Sequence, residues 1–517
     1  MLAVVTPPGF DRRGFLRAAG AGLTAPALLP EPQMTPQAAE SPQSPEPPGS
    51  PNPPRHDPRD IDVVSLARTM IRFDTSHHGQ GGVTLPHARV LQAVWEAHGV
   101  STSLVPTPKA DNVHLIARIR GTGAKAPLLL LCHSDVVPVE RENWRRDPFA
   151  AEIVDGELWG RGAIDMKGTN AAFMAALLRL VREGARFDRD VVFLSDADEE
   201  GGPHGTPWLV KQKPELLEVG TVLTEGGWQL AQRDGRTPML LSMTCLDRVP
   251  MVVRLSARGT ATHSSKPMPD SAILRVNRAV SRIGEYQPEV ALTPINRGYF
   301  EALAGATNDP VFAHAIRLLL HAQSPRQTER AARLVVERSP YPWLHNALLR
   351  TTISYVIQDG GYKTNVIPSR ASVQIGVRIV PQGQRPSAVL DRFRSLVGDG
   401  VEVALVTPAG VSQDQLLALL EERWAAEPAP TDTDVFTAWR AAAAEVLPGV
   451  PAVPAMFEAA TSGYPWNQRG VPVYGIYPYV VDNASVISMH GDDERVRVDA
   501  LRQGAELVYR MFRRLTV

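Results

Sequence analysis

The chain has 517 residues, enough for two or three domains around a sizeable core. Its 54 Lys and Arg nearly balance 55 Asp and Glu, which argues against both the basic surplus of a nucleic-acid binder and the acidic excess of a solvating tail. The two cysteines, Cys132 and Cys245, lie in apolar stretches and read as buried thiols, so they assign no redox compartment.

In chain order, residues 1–30 carry the Arg12-Arg13 pair, then Phe15-Leu16 and a short Ala/Gly/Leu run. That run falls short of the roughly 20 apolar residues that span a bilayer. Basic residues, a short apolar stretch and small residues in that order read as an export signal of the twin-arginine type. Residues 31–58 are so rich in proline that they read as a disordered or polyproline linker. No later stretch is apolar and long enough to cross a membrane. The expectation is an exported protein, periplasmic or secreted, with no integral span once the signal is removed.

From Asp60 onward helix and strand patterns alternate. "DIDVVSLARTMIRF" and "LPHARVLQAVWEAHG" show helical spacing, whereas "NVHLIARI" and "APLLLLCH" read as strands, the second buried on both faces. A helix over 168–183, a strand over 190–195, a short helix near 206–212 and a strand over 219–224 follow. This is an α/β pattern with a mixed, mainly parallel central sheet, predicted as the first part of a catalytic domain over 59–248. From 249 to 408 the order becomes βαββαβ, a split βαβ sandwich, interrupted by mixed helical sequence near 290–350. It reads as an α+β domain inserted into the first, which resumes over 409–517 with helix 432–446, strand "VPVYGIY" and helix 498–514.

Open α/β sheets place their sites at strand ends. Here strand "PLLLLC" ends in His133-Ser134-Asp135, the turn "GRGAIDMKG" holds Asp165, "LSDADEEGG" carries Glu199 and Glu200, "GTVLTEGG" ends in Glu225, and "SMHGDDERV" presents His490. Histidine and carboxylate without cysteine suit zinc or another first-row divalent ion. Two histidines and at least three carboxylates are enough for two ions that share a bridging carboxylate. Glu199 and Glu200 would point to opposite faces of an extended strand. The chain must therefore leave strand geometry if both are to reach one cleft, with Asp196 and Asp198 holding that turn through local hydrogen bonds. His204 in "GGPHGT" reads as a turn residue.

"HSDVVPV", "GRGAIDMKG", "DADEEGG", "TEGG", "HSSKP", "NVIP" and "MHGDDERV", in this order, resemble the M20 metallopeptidases over roughly residues 60–517. The long insertion and "GGYKTNVIP" look most like the branch with carboxypeptidase S and the secreted N-acyl-amino-acid hydrolases. The resemblance implies a zinc-peptidase-like catalytic domain with an inserted lid or dimerisation domain. It also implies two Zn2+ ions, with Co2+ or Mn2+ as alternatives. By the same resemblance His133 and Glu225 bind one ion, Glu200 and His490 the other, and Asp165 bridges them. Asp135 orients the His133 imidazole, and Glu199 is the general base. His263 of "ATHSSKP" stabilises the oxyanion, in some relatives across a homodimer. Arg378 and Asn365 hold the substrate's free carboxylate and nearby polar groups. The implied substrate is a small peptide or N-acyl amino acid cleaved at an amide bond next to that carboxylate. A desuccinylase or carbamoyl hydrolase on the same scaffold, or a binding protein that has lost hydrolysis, are the alternatives. One departure stands out: "AATSGYPWNQRG" has Ser462 where the family usually carries an acid that lines the substrate pocket.

Overall fold

The computed structural model of the chain describes residues 56–79, 81–408 and 410–516. The expected export signal (1–30) and residues 31–55 of the expected linker lie outside them. Among the described residues no helix is long and apolar enough to cross a membrane.

The central sheet is built around strand Leu128–His133, every residue of which is buried. Its side chains alternate between two cores. Leu128, Leu130 and Cys132 face one packed with Phe173, Trp439 and Phe512, and Leu129 and Leu131 face another with Leu209 and Trp466. An unbroken apolar run is what a strand covered on both faces requires. This strand pairs in parallel with Val191–Asp196 on one side and Thr221–Thr224 on the other. Antiparallel strands Val113–Ile119 and Ser101–Pro106 complete one edge. Beyond Thr221–Thr224 come Val473–Gly475, Pro238–Asp247, Gln229–Ala231 and Val480–Val481, and Ala452–Phe457 pairs with Pro238–Asp247. The sheet is therefore mixed, parallel at its centre with antiparallel pairs on both sides of it. Helices Val63–Ile71, Lys167–Arg182, Asp434–Val446 and Val498–Arg513 cover one face. Cys132 and Cys245 are buried free thiols.

The second sheet has the order Thr352–Gly360, Arg370–Ile379, Val249–Arg258, Val401–Leu405, with every neighbour antiparallel. With helices Ala272–Gly284 and Pro386–Val397 this is the βαββαβ sandwich. Val249, Met251, Val253, Leu255 and Ala257 alternate inward toward the helices, so the residues between them, Arg254 and Ser256 among these, occupy the other face.

The cores do not follow the expected bounds of 249–408. Helices Pro294–Ala306, Pro310–Leu320, Pro325–Arg338 and Pro342–Leu349 fill the interrupted stretch. Their Tyr299, Phe300, Phe312 and Leu344 share the core of the central sheet with Leu240 and Met456. Helix Gln413–Trp424, beyond the expected boundary, instead packs Leu420 into the sandwich core. Apolar helix faces bury where an uncovered sheet face is nearest, whatever their order in the chain. Arg248 sits at the crossing between the two sheets and is 1% exposed. Its guanidinium donates to the carbonyls of Arg350 (2.9 Å), Arg378 and Glu458 (3.3 Å).

Candidate active site

Three parallel strands deliver the ligand-type residues to one edge of the central sheet. His133 is the last residue of Leu128–His133, Glu225 follows Thr221–Thr224, and Glu199-Glu200 follow Val191–Asp196 by a short turn. Asp165 comes from the loop before helix Lys167–Arg182. His490 lies past helix Asn483–Ser488 with φ +61°, a left-handed position that turns the chain back over the site.

The geometry divides these residues into two sets that share one carboxylate. His133 Nε2 lies 3.1 Å from Asp165 Oδ1 and 3.6 Å from Glu225 Oε2. His490 Nε2 lies 3.0 Å from Asp165 Oδ2 and 3.1 Å from Glu200 Oε1. Within each set, His133/Asp165/Glu225 and Asp165/Glu200/His490, the donor atoms are all within 4.8 Å of one another. A tetrahedral shell with metal–ligand bonds of about 2 Å puts neighbouring ligand atoms roughly 3.3 Å apart. Both sets therefore fit a divalent ion in spacing and in donor chemistry. His133 Nδ1 donates to the backbone carbonyl of Asp135 at 2.9 Å, which fixes the tautomer that leaves Nε2 as the ligand atom.

The electrostatics agree with a site made for cations. Burial opposes charge on His133, yet the carboxylates of Asp165 and Glu225 hold its pKa well above the ordinary value. Burial likewise opposes charge on His490, and Asp165 with Glu200 raises it to about 11. Burial drives Glu199 up to about 7 and pushes Glu225 well above the usual carboxylate range, with Asp165 adding repulsion to both.

Several supporting contacts were not assigned from sequence. The fully buried Glu494 carboxylate accepts N–H groups of Gly162 (3.0 Å), Ile164 (2.7 Å) and Asp165 (3.1 Å), together with the Arg161 guanidinium (2.7 Å), and so shapes the Asp165 loop. Tyr477 Oη donates toward Glu225 Oε2 at 2.9 Å and lies 3.3 Å from Asp165 Oδ1, with its ring stacked on Trp228. Asn170 Nδ2 donates to the His133 carbonyl at 2.7 Å. Glu494 stands inside a motif that had drawn attention only for His490, and a buried Tyr477 in "VPVYGIY" reads as core.

Asp135 is placed differently from the expectation. Its carboxylate Oδ1 stands 3.7 Å from His133 Nδ1, beyond hydrogen-bond reach. Instead its two oxygens accept the backbone N–H groups of Glu199 (3.1 Å) and Glu200 (3.0 Å). Two adjacent N–H donors can converge on one carboxylate only where the chain has left strand geometry, and this is the turn that brings both glutamates to one cleft. Asp196 accepts Asp198 N–H at 2.9 Å and the Thr206 hydroxyl, and Asp198 accepts His204 N–H at 2.8 Å, so both hold the turn and His204 is part of it. Ser462 Oγ donates to Glu199 Oε1 at 3.0 Å, so the departure noted in sequence touches the glutamate expected to be the base.

His263 and Asn365 are not brought to this cluster within one chain. His263 is on the small antiparallel ribbon Thr262–His263/Val366–Ile367, exposed, with Nδ1 2.8 Å from Ser265 Oγ. Asn365, beside the ribbon, offers its backbone carbonyl to Ser264 N–H. Among the described residues no hydrogen bond or ion pair joins either side chain to the ligand set. Arg378 is half-buried beside the crossing, with no carboxylate paired to it among the described residues.

A mixed sheet that converges histidines and carboxylates on a shared aspartate has the donor set of a site for divalent metal. The chain belongs to peptidase family M20/M25/M40, whose description matches residues 129–514. It is 26% identical over 401 residues to probable carboxypeptidase S-like 2 of Dictyostelium discoideum, covering 75% of this chain and 71% of that one. It is 26% identical over 395 residues to aminoacylase-1 of Mus musculus, covering 75% and 79%. It is 25% identical over 426 residues to the Homo sapiens N-fatty-acyl-amino acid synthase/hydrolase PM20D1, covering 80% and 79%. In fold it resembles the M20 metallo-carboxypeptidase Sso-CP2 of Sulfolobus solfataricus, with TM-score 0.62, 17% identity and coverage of 88% and 99%. Human carnosine dipeptidase 1 gives TM-score 0.61 at 16% identity, with coverage of 88% and 95%.

Proposed function

We propose that the protein is an exported di-zinc hydrolase that cleaves an amide bond next to a free carboxylate, in a dipeptide, a peptide C-terminus or an N-acyl amino acid. Co2+ or Mn2+ are the alternative metals. The observation that carries this reading is Asp165, whose two oxygens each face a separate histidine–carboxylate set at 3.1 and 3.0 Å. The relatives named carboxypeptidase, aminoacylase and N-fatty-acyl-amino acid hydrolase support a small substrate of this kind. The basic, apolar and small-residue order of residues 1–30 supports export.

His133, Asp165 and Glu225, and Asp165, Glu200 and His490, would hold the two divalent ions, which when bound would lower the pKa of a water and polarise the amide carbonyl. Glu199 lies close enough to His133, Glu200 and Asp165 to feel their charges. It removes the water's proton and returns it to the departing amine. Ser462 fixes Oε1 of that carboxylate by its hydrogen bond and leaves Oε2 for the proton. Arg378 receives the substrate's free carboxylate as a guanidinium fork. His263 acts on the oxyanion only across a homodimer formed through the sandwich. The exposed strand Thr352–Gly360, with Tyr355, Val356 and Ile357 open to solvent, supports that pairing.

Release of amine from a panel of dipeptides and N-acyl amino acids tests the reading. Glu199→Gln is expected to lower kcat by about 100-fold or more while the protein keeps its metal. Native metal-loaded protein that releases no amine from any of them would contradict it.

A further inference from the structure

Two charged residues inside the ligand motifs take no part in the reaction, Arg161 of "GRGAIDMKG" and Glu494 of "MHGDDERV". Their side chains are 2% and 0% exposed and meet at 2.7 Å. A buried ion pair contributes little net stability over apolar residues of similar volume, so packing alone does not account for it. What apolar residues cannot do is hydrogen-bond two loops at once.

This pair does. Glu494 Oε1 accepts Ile164 N–H at 2.7 Å and Asp165 N–H at 3.1 Å. Its Oε2 accepts Gly162 N–H at 3.0 Å and Arg161 Nη1–H at 2.7 Å. The other arm of the guanidinium, Nη2, donates to the Gly491 carbonyl at 2.8 Å, and the Trp144 ring centroid lies 5.2 Å from Cζ. Gly491 directly follows His490, whose φ of +61° is a conformation that a non-glycine residue keeps only where its surroundings dictate it. At the far end of the same loop Arg145 grips Asp493 through its N–H (2.9 Å) and Nε (2.5 Å), so Arg161 holds the end next to His490.

A closed path results. It runs from Asp165 N–H through Glu494 and Arg161 to Gly491, along the chain to His490, and from His490 Nε2 back to Asp165 Oδ2 at 3.0 Å. Asp165 belongs to both candidate metal groups, whereas His490 belongs to one. Disturbing the Glu494 end therefore moves a ligand of both positions, and disturbing the Arg161 end moves a ligand of one.

We infer that Arg161 and Glu494 are positioning residues that couple the two metal positions, Glu494 by setting Asp165 and Arg161 by setting His490 through Gly491. This inference rests on the two-metal reading of the site, and its test needs no turnover.

Full-length protein stripped of metal is titrated with Zn2+ against a chromophoric chelator. The native protein is expected to take up two ions. Glu494→Gln turns an amide N–H toward donors that need an acceptor, so both ions are expected to bind about 10- to 100-fold more weakly. Arg161→Lys keeps a cation facing Glu494 but replaces a two-armed fork by one ammonium. It is expected to weaken one ion by about tenfold and the other by less than about twofold. Two further variants show which ion this is. In His490→Ala the remaining ion is expected to be indifferent to added Arg161→Lys, and in Glu225→Ala the remaining ion is expected to weaken about tenfold with it. Hydrogen exchange of metal-free Arg161→Lys that is faster than native over 488–494 and unchanged over 128–133 separates a loosened loop from a folding defect. Fewer than two ions on native protein would contradict the two-metal reading and overturn the coupling with it. Two ions on native protein, with equal losses or none in Arg161→Lys, or with a loss confined to one ion in Glu494→Gln, would overturn the coupling alone.

Discussion

Asp135 shows how one side chain organises the chemistry without joining it. By accepting the N–H groups of both Glu199 and Glu200 it makes two adjacent residues face one cleft, which an extended strand forbids. Asp135→Asn keeps the size but leaves one acceptor oxygen, so one buried N–H loses its partner at a cost of about 1–3 kcal/mol. The expected result is metal affinity weaker by about 10- to 100-fold, read by titration against a chelator. Affinity equal to native would show that the carboxylate does not set the turn. His133, Asp165, Glu200, Glu225 and His490 could be singled out from sequence because each ends an α/β segment with a residue type that metals bind. The partners of Asp135, Tyr477 and Glu494 could not, since a backbone N–H acceptor and a buried hydroxyl leave no periodic or compositional trace. Ser462 was visible as a departure, but its contact with Glu199 depends on a loop reached 263 positions later.

At the scale of elements, hydrophobic period was a sound guide wherever one face is buried. Strand Val191–Asp196 and helix Thr206–Gln212 begin and end within one residue of where their patterns predict. What period does not encode is which body a helix joins. The helices over 294–349 and helix Gln413–Trp424 lie within the same half of the chain, yet they cover different sheets. Helix Asp434–Val446 offers a direct test of how such an element is fastened. Asp434 at its start pairs with Lys125 at 2.7 Å and with the nearly buried Arg189. Partial burial raises its pKa, but these two cations overcome that and bring it down to about 2. A carboxylate depressed on folding contributes stability that is complete above its unfolded pKa near 3.9 and disappears as pH falls toward 2. With solvent screening at this half-exposed position, Asp434→Asn is expected to lower stability by about 1 kcal/mol at pH 7. Denaturant unfolding should show that difference shrinking between about pH 4 and pH 2. A difference that does not change with pH would assign the effect to packing.

At the scale of the molecule, the α/β body with an inserted βαββαβ sandwich was readable from the order of patterns alone, because alternating helices and strands admit few architectures. The meeting of the two bodies was not, since it depends on Arg248 bonding three carbonyls that are far apart in the chain. The same separation leaves His263 and Asn365 away from the cluster in a single chain, although their motifs stand in line with the rest. Asp165 belongs to both candidate metal groups, and the proposed reaction needs it to serve both positions at once. Elemental analysis of natively purified protein and of Asp165→Ala tests this most directly. The expected result is about two zinc ions per native chain, with both positions losing occupancy together in the variant. Native protein free of divalent metal, or one that keeps a full ion after Asp165 is removed, would contradict it.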